Sequence, residues 1–168
     1  YLSHFREVAL DLLGELVSDR EVQRFFREHF SEERERYWSI KKLYSLAMFL
    51  PIFLQIGLKY LGEKFSELIY VDTHAGPGLA KVGPEEDDVI PGSPVVALKW
   101  PEIVAEKVPP FRKIRRGFTR YIFIEKDSRI CRVLSRVVKK IGGEKETRIL
   151  CRDANEELPR LARRISKK

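Results

Sequence analysis

Residues 69–78 read Ile-Tyr-Val-Asp-Thr-His-Ala-Gly-Pro-Gly, an apolar run that ends in a carboxylate and breaks into a glycine turn. Ile69, Tyr70 and Val71 are β-branched or aromatic, the residue types of a buried central strand. Asp72 then falls at the carboxyl end of that strand, and Gly76 and Gly78 let the backbone approach whatever binds there. Ligands of open α/β sheets sit at that edge, so the stretch predicts a nucleotide-like pocket.

Working outward, residues 119–127, Thr-Arg-Tyr-Ile-Phe-Ile-Glu-Lys-Asp, predict a second apolar strand with Glu125 at its carboxyl end. An acid there accepts hydrogen bonds from ribose hydroxyls in nucleotide-binding sheets. A third run, Arg148-Ile149-Leu150-Cys151-Arg152-Asp153-Ala154-Asn155, again closes on an acid. Each of the three is followed by a helical segment, which predicts an α/β fold. A dinucleotide fingerprint needs G-x-G-x-x-G and an acid roughly 20 residues further on. Here Lys81 takes the third glycine position and Glu125 lies well beyond that spacing.

An acid followed by a small-residue G-x-G loop, a second acid and an Asp-Ala pair resembles the class I S-adenosylmethionine-dependent methyltransferases. Within that superfamily the chain resembles the three-Cys-motif partner proteins. The resemblance is carried by Trp38-Ser39-x-x-Lys42, Tyr70 to Gly78, Gly92-Ser93-Pro94, Phe123-Ile124-Glu125-Lys126-Asp127 and Asp153-Ala154-Asn155. It spans residues 38 to 158. The family pattern has Leu-Phe where this chain has Thr73-His74, which alters the lining at the methionine end of the pocket.

The resemblance implies a Rossmann-like sheet, S-adenosylmethionine as cofactor, and a cofactor-binding set of Asp72, His74, Ala75, Gly76, Gly78, Glu125, Lys126, Asp153 and Ala154. Asp72 would orient the amino-acid end of the cofactor, Glu125 would accept from both ribose hydroxyls, and Asp153 would accept from the adenine amino group. Ala154 is small enough to let the ring lie flat. Each residue also has a plainer reading. Asp72 suits a cap on the glycine turn, Gly76 and Gly78 an ordinary tight turn, and Glu125 a surface salt bridge with Lys126 pointing away. Asp153 suits a helix cap before Asn155-Glu156-Glu157. His74 has a titration range fit for a general base, or it packs inside the loop. No catalytic residue is assigned, and the acceptor-facing groups are expected past Lys168, where the remaining strands of a full methyltransferase sheet would follow.

Two units are expected: a helical region over 1–66 packed on the sheet, and a cofactor-binding unit over 67–168. Leu2, Phe5, Val8, Leu12, Leu13 and Leu16 recur at helical spacing, and Ser18-Asp19 can end one helix and cap the next. Residues 43–61 are apolar enough to raise a membrane span, but Pro51, Gln55 and Lys59 interrupt them. A buried helix kinked at Pro51 is expected instead. Residues 79–92, centred on Glu85-Glu86-Asp87-Asp88, read as an acidic solvated loop. Ser93 is expected to cap a helix with Pro94 at its first position, stopped by Pro101. Arg112, Lys113, Arg115 and Arg116 form a basic cluster suited to phosphates or to a solvated loop, and Trp38 suits burial or a substrate contact.

The chain has 168 residues, net charge +7 and pI near 9.5, a balance that favours acidic partners such as nucleic acid. Its 34% of charged residues equally suits a heat-adapted surface. Cys131 and Cys151 lack metal-ligand spacing and fit a reducing cytosol, so a cytoplasmic protein with no membrane segment and no zinc site is expected. Deaminase or nuclease chemistry is disfavoured by the missing His/Cys/Glu signature. Two functions remain: methyl transfer, plausibly onto nucleic acid, or a non-catalytic methyltransferase-like module. The latter would bind a cysteine-motif protein, implied by the resemblance to be an iron–sulfur enzyme of the radical type.

Overall fold

The computed structural model describes residues 20, 24, 25, 28, 37–81 and 89–165. The amphipathic helices expected ahead of Tyr37, the acidic run Glu85–Asp88 and the basic end of the tail lie outside the described residues.

Three short strands form a parallel sheet: β1 (Ile69–Asp72), β4 (Arg120–Ile124) and β5 (Thr147–Leu150), in the order β1-β4-β5. Asp72 stands level with Phe123, and Ile124 level with Leu150. The protein is thus α/β. The alternation of each strand splits its side chains between two faces. Tyr70, Tyr121, Phe123 and Ile149 meet one apolar cluster, while Ile69, Val71, Ile122, Ile124 and Leu150 meet another. On the first face Tyr70, Phe118, Tyr121 and Phe123 form a ring cluster with centroids 5.4 to 6.3 Å apart. Such pairs favour tilted or offset geometry because of the aromatic quadrupole.

The first cluster is covered by three helices, α1 (Tyr37–Tyr60), α2 (Ser93–Lys107) and α3 (Ser128–Ile141). The second face meets α4 (Ala154–Ile165), through Ala154 and Leu161. Central β4 is buried from Tyr121 to Ile124, whereas every residue of β1 is only half-buried. Among the described residues β4 lies between the other two strands. Strands β1 and β4 are apolar runs of similar length, and the run alone does not encode its neighbours.

Helix α1 is continuous through Pro51 and is buried along one stripe only. Ala47, Leu50 and Leu54 face the core, and the Trp100 indole N–H donates to the Ala47 carbonyl at 2.7 Å. The opposite side carries Met48, Phe49, Ile52, Phe53 and Ile56, each at least half exposed, which corrects the expectation of a buried helix to one buried along a single stripe. By length and composition Ile40–Tyr60 is long and apolar enough to cross a membrane, although its buried stripe is joined to α2.

Residues 79–92, expected as a loop, contain an antiparallel pair, β2 (Leu79–Lys81) with β3 (Val89–Pro91). Leu79, Ala80 and Ile90 are buried, and that burial gives the pairing its driving force. Helix α2 is capped by Gly92, not Ser93, with no side-chain cap bond. It also continues past Pro101 to Lys107. Pro101 forgoes one backbone bond of the helix, and its ring is buried alongside Trp100, Val104 and Ala105. The basic cluster is ordered as a 3-10 helix, Pro109–Arg116, anchored by the fully buried Ile114.

Cys131, in the first turn of α3, and Cys151, just past β5, are bonded to each other across 20 residues of sequence. This corrects the reading of the pair as thiols suited to a reducing cytosol. The two residues meet because the parallel crossover returns β5 beside the start of α3.

Candidate functional site

The strand order brings three carboxylates to one edge. Asp72 is the last residue of β1, Glu125 directly follows β4, and Asp153 lies three residues past the end of β5; the three strands are parallel, with β4 in the middle. The glycine loop after β1 folds over the end of β4. There the Ala75 N–H donates to the Ile124 carbonyl at 3.0 Å, and the Gly76 N–H donates to Glu125 Oε2 at 3.0 Å. The other Glu125 oxygen, Oε1, accepts from the Asp127 N–H at 2.9 Å. A carboxylate offers about four lone-pair directions, so each oxygen retains one for a further donor. Glu125 thus anchors the loop and stays able to accept.

Asp72 Oδ1 accepts from the His74 N–H at 3.2 Å, while Oδ2 is buried with no hydrogen-bond partner among the described residues. Burial pushes the Asp72 carboxyl up from its ordinary value, against the smaller opposing pull of the Ser93 hydroxyl and of His74. A buried polar oxygen left without a donor is unfavourable, and a donor or cation arriving at this edge would relieve it. Ser93, expected as a helix cap, thus has a hydroxyl that acts on the site carboxylate. The Gly-Ser-Pro triplet was the only signal in the sequence that could have pointed there.

The two loop glycines differ. Gly76 has φ +64° and nothing within 4 Å of where a Cβ would stand, so its outer side is open to a ligand. Gly78 has φ +96°, and a Cβ there would lie 2.9 Å from Val137 Cγ1. Its space is filled by helix α3, and its carbonyl accepts from the Gly92 N–H at 2.7 Å. Gly78 therefore packs the loop down, where the sequence suggested ligand space.

Asp153 does the work of its plainer reading. Oδ1 accepts from the Asn155 N–H at 2.9 Å, and its carbonyl accepts from Glu156 and Glu157 at the start of α4. Oδ2 accepts from the Lys126 ammonium at 2.8 Å. That bond holds the Asp153 carboxyl below its ordinary value and the Lys126 ammonium above its own. Lys126 is exposed, and it ties the β4 and β5 ends together. Ala154 is buried against the second cluster, and Ala75 is buried beneath the loop. His74 is exposed, with Nδ1 2.9 Å from the Thr73 hydroxyl, so it does not pack inside the loop. The side chain of Trp38 lies outside the described residues.

Asp127 was quoted only as part of a motif. It is the N-cap of α3, its Oδ1 accepting from the Arg129 N–H at 2.7 Å and the Ile130 N–H at 3.3 Å. The edge thus gathers four carboxylates, of which Glu125 keeps acceptor capacity on both oxygens. Comparison with protein-family models, curated proteins and solved structures returns no match for this chain.

Proposed function

We propose that the carboxylate edge binds S-adenosylmethionine within a Rossmann-like, class I methyltransferase fold, and that the protein serves methyl transfer onto nucleic acid. The observation that carries the reading is the buried Asp72 Oδ2, without a partner among the described residues, at the same sheet edge as the Gly76–Glu125 pair. These residues suit the cofactor's chemistry. Asp72 would take the ammonium of the amino-acid end, the spare lone pairs of Glu125 would take ribose hydroxyls, and Asp153 with Ala154 would flank the base. When bound, the cofactor supplies an electrophilic methyl group on its sulfonium. The chain's part is therefore to hold and orient, since transfer of this kind depends on proximity and alignment more than on acid–base power. A polymer of phosphates suits the net charge of +7.

The reading also places the protein in the cytoplasm of a heat-adapted cell. Disulfides are rare in mesophilic cytosol but common inside hyperthermophiles, and the Cys131–Cys151 bond accords with the 34% of charged residues.

A second reading, a non-catalytic module that binds a cysteine-motif protein, draws on the exposed apolar side of α1. Calorimetric titration with S-adenosylmethionine and S-adenosylhomocysteine separates the two. Binding of both, weakened in Glu125→Gln, supports the cofactor reading. A folded protein that binds neither would sink it and favour the partner module.

A further inference from the structure

Helix α3 carries Arg129, Arg132, Arg136, Lys139 and Lys140 and no acidic residue. All five are exposed, while Cys131, Leu134, Val137, Val138 and Ile141 face the core. At 3.6 residues per turn the five cations fall within an arc of about 100°, a row about 16 Å long. Arg129 also lies 3.7 Å from Asp127, and the Arg132 Nε–H donates only to the Ser128 carbonyl, at 3.4 Å.

A second basic element faces the carboxyl end of α3 across a cavity. Pro109–Arg116 carries Arg112, Lys113, Arg115 and Arg116, again exposed and again without an acid. The two elements meet around an open cavity of about 600 Å³. Its walls include Arg115 and Arg116 on one side and Gly142, Gly143 and Lys145, which follow α3, on the other. Acids in the wall are largely committed. Glu102 pairs with Lys145 and Lys99, Glu146 pairs with Arg120, and Glu144 is left exposed. Beside Gly143 the space is open.

We propose that the outer side of α3 and the Pro109–Arg116 turn form one docking surface for the phosphate backbone of nucleic acid. The proposal deepens the nucleic-acid substrate reading and rests on it for biological meaning, but its test is binding alone. Helix α3 holds no aromatic residue, so there is no stacking platform along the row and the contacts are to phosphates, not bases. The row starts at the Asp127 cap, next to Glu125, and ends at the amino-terminal edge of the sheet. A strand lying on it would pass from the carboxylate edge to the opposite side of the domain.

The test is fluorescence anisotropy of a labelled single-stranded RNA and of a duplex DNA of equal length, titrated at several salt concentrations. Wild type should bind one or both at low salt, whichever binds identifying the polymer, with affinity falling steeply as salt rises. R115Q/R116Q and R132Q/K139Q should each lower the slope of log K against log salt by about 1.5, from about 0.7–0.9 per phosphate contact. K59Q/K64Q, which removes one exposed charge in the last turn of α1 and one in the turn after it, should leave the slope unchanged. Oligonucleotide binding by a protein that ignores S-adenosylmethionine would uphold this surface while the cofactor reading fails. Cofactor binding without nucleic-acid affinity at low salt would overturn it and leave the pocket standing. Equal weakening by K59Q/K64Q, or equal competition by polyglutamate, would also overturn it, as either would show bulk charge at work.

Discussion

Asp72→Asn should make the protein more stable and bind its cofactor less well. Burial holds the folded-state pKa of Asp72 above its unfolded value, so between the two values the folded protein binds more protons. Stability then falls as pH rises through that window, and the penalty is fully present above the folded pKa. It vanishes below the unfolded value, about 3.9. A buried polar oxygen without a partner, as at Oδ2 among the described residues, costs about 1–3 kcal/mol, and more when charged. The amide that replaces it is neutral yet also lacks a full set of partners, so recovery of about 1–2 kcal/mol is expected. In a domain of this size each kcal/mol moves Tm by about 2–4 °C, giving a rise of about 2–8 °C at pH 7.5. The assay is thermal unfolding of both proteins at pH 7.5 and near pH 4, where the gain should shrink, with a parallel S-adenosylmethionine titration. A variant less stable than wild type at pH 7.5, or a gap that does not change with pH, would refute the reasoning.

Cys131→Ser removes a cross-link closing a 20-residue separation and should cost about 3 kcal/mol. Dithiothreitol should bring wild type to the same midpoint, and a wild type indifferent to reductant would contradict the bond. Gly78→Ala meets both a positive φ and Val137, so urea unfolding should show a loss of about 2–4 kcal/mol. Gly76→Ala, strained in φ alone, should lose about 1–2 kcal/mol while costing more cofactor affinity. The reverse order for stability would be inconsistent with the packing described. Trp100→Phe loses the bond to the Ala47 carbonyl and should lower the urea midpoint by the equivalent of about 1–2 kcal/mol without changing the slope.

The three strands and their terminal acids were legible because both signals are local: a short apolar run, then a carboxylate. The glycine turn was legible for the same reason. What the sequence did not disclose depends on neighbours. Nothing in Ile69–Asp72 says which strand it pairs with. Cys131 and Cys151 look unrelated until a parallel crossover returns β5 beside α3. Gly76 and Gly78 are the same residue type two positions apart, yet α3 stands against only one of them. Pro101 reads as a stop, but the burial of its ring and of its neighbours offsets the lost backbone bond. Asp153 was weighed between ligand and cap, and only the positions of Asn155 and Lys126 show how its lone pairs are occupied.

The Gly92 N–H to Gly78 carbonyl bond fastens the base of the β2–β3 hairpin directly under the glycine loop. That bond and the pairing of Leu79–Lys81 with Val89–Pro91 tie the end of the glycine loop to the start of helix α2. Doubling the seven residues 82–88 would add only about 0.6 kcal/mol of closure entropy. Inserting a fluorophore-binding peptide or an affinity handle between Lys81 and Val89 would accordingly carry only a small cost in closure entropy.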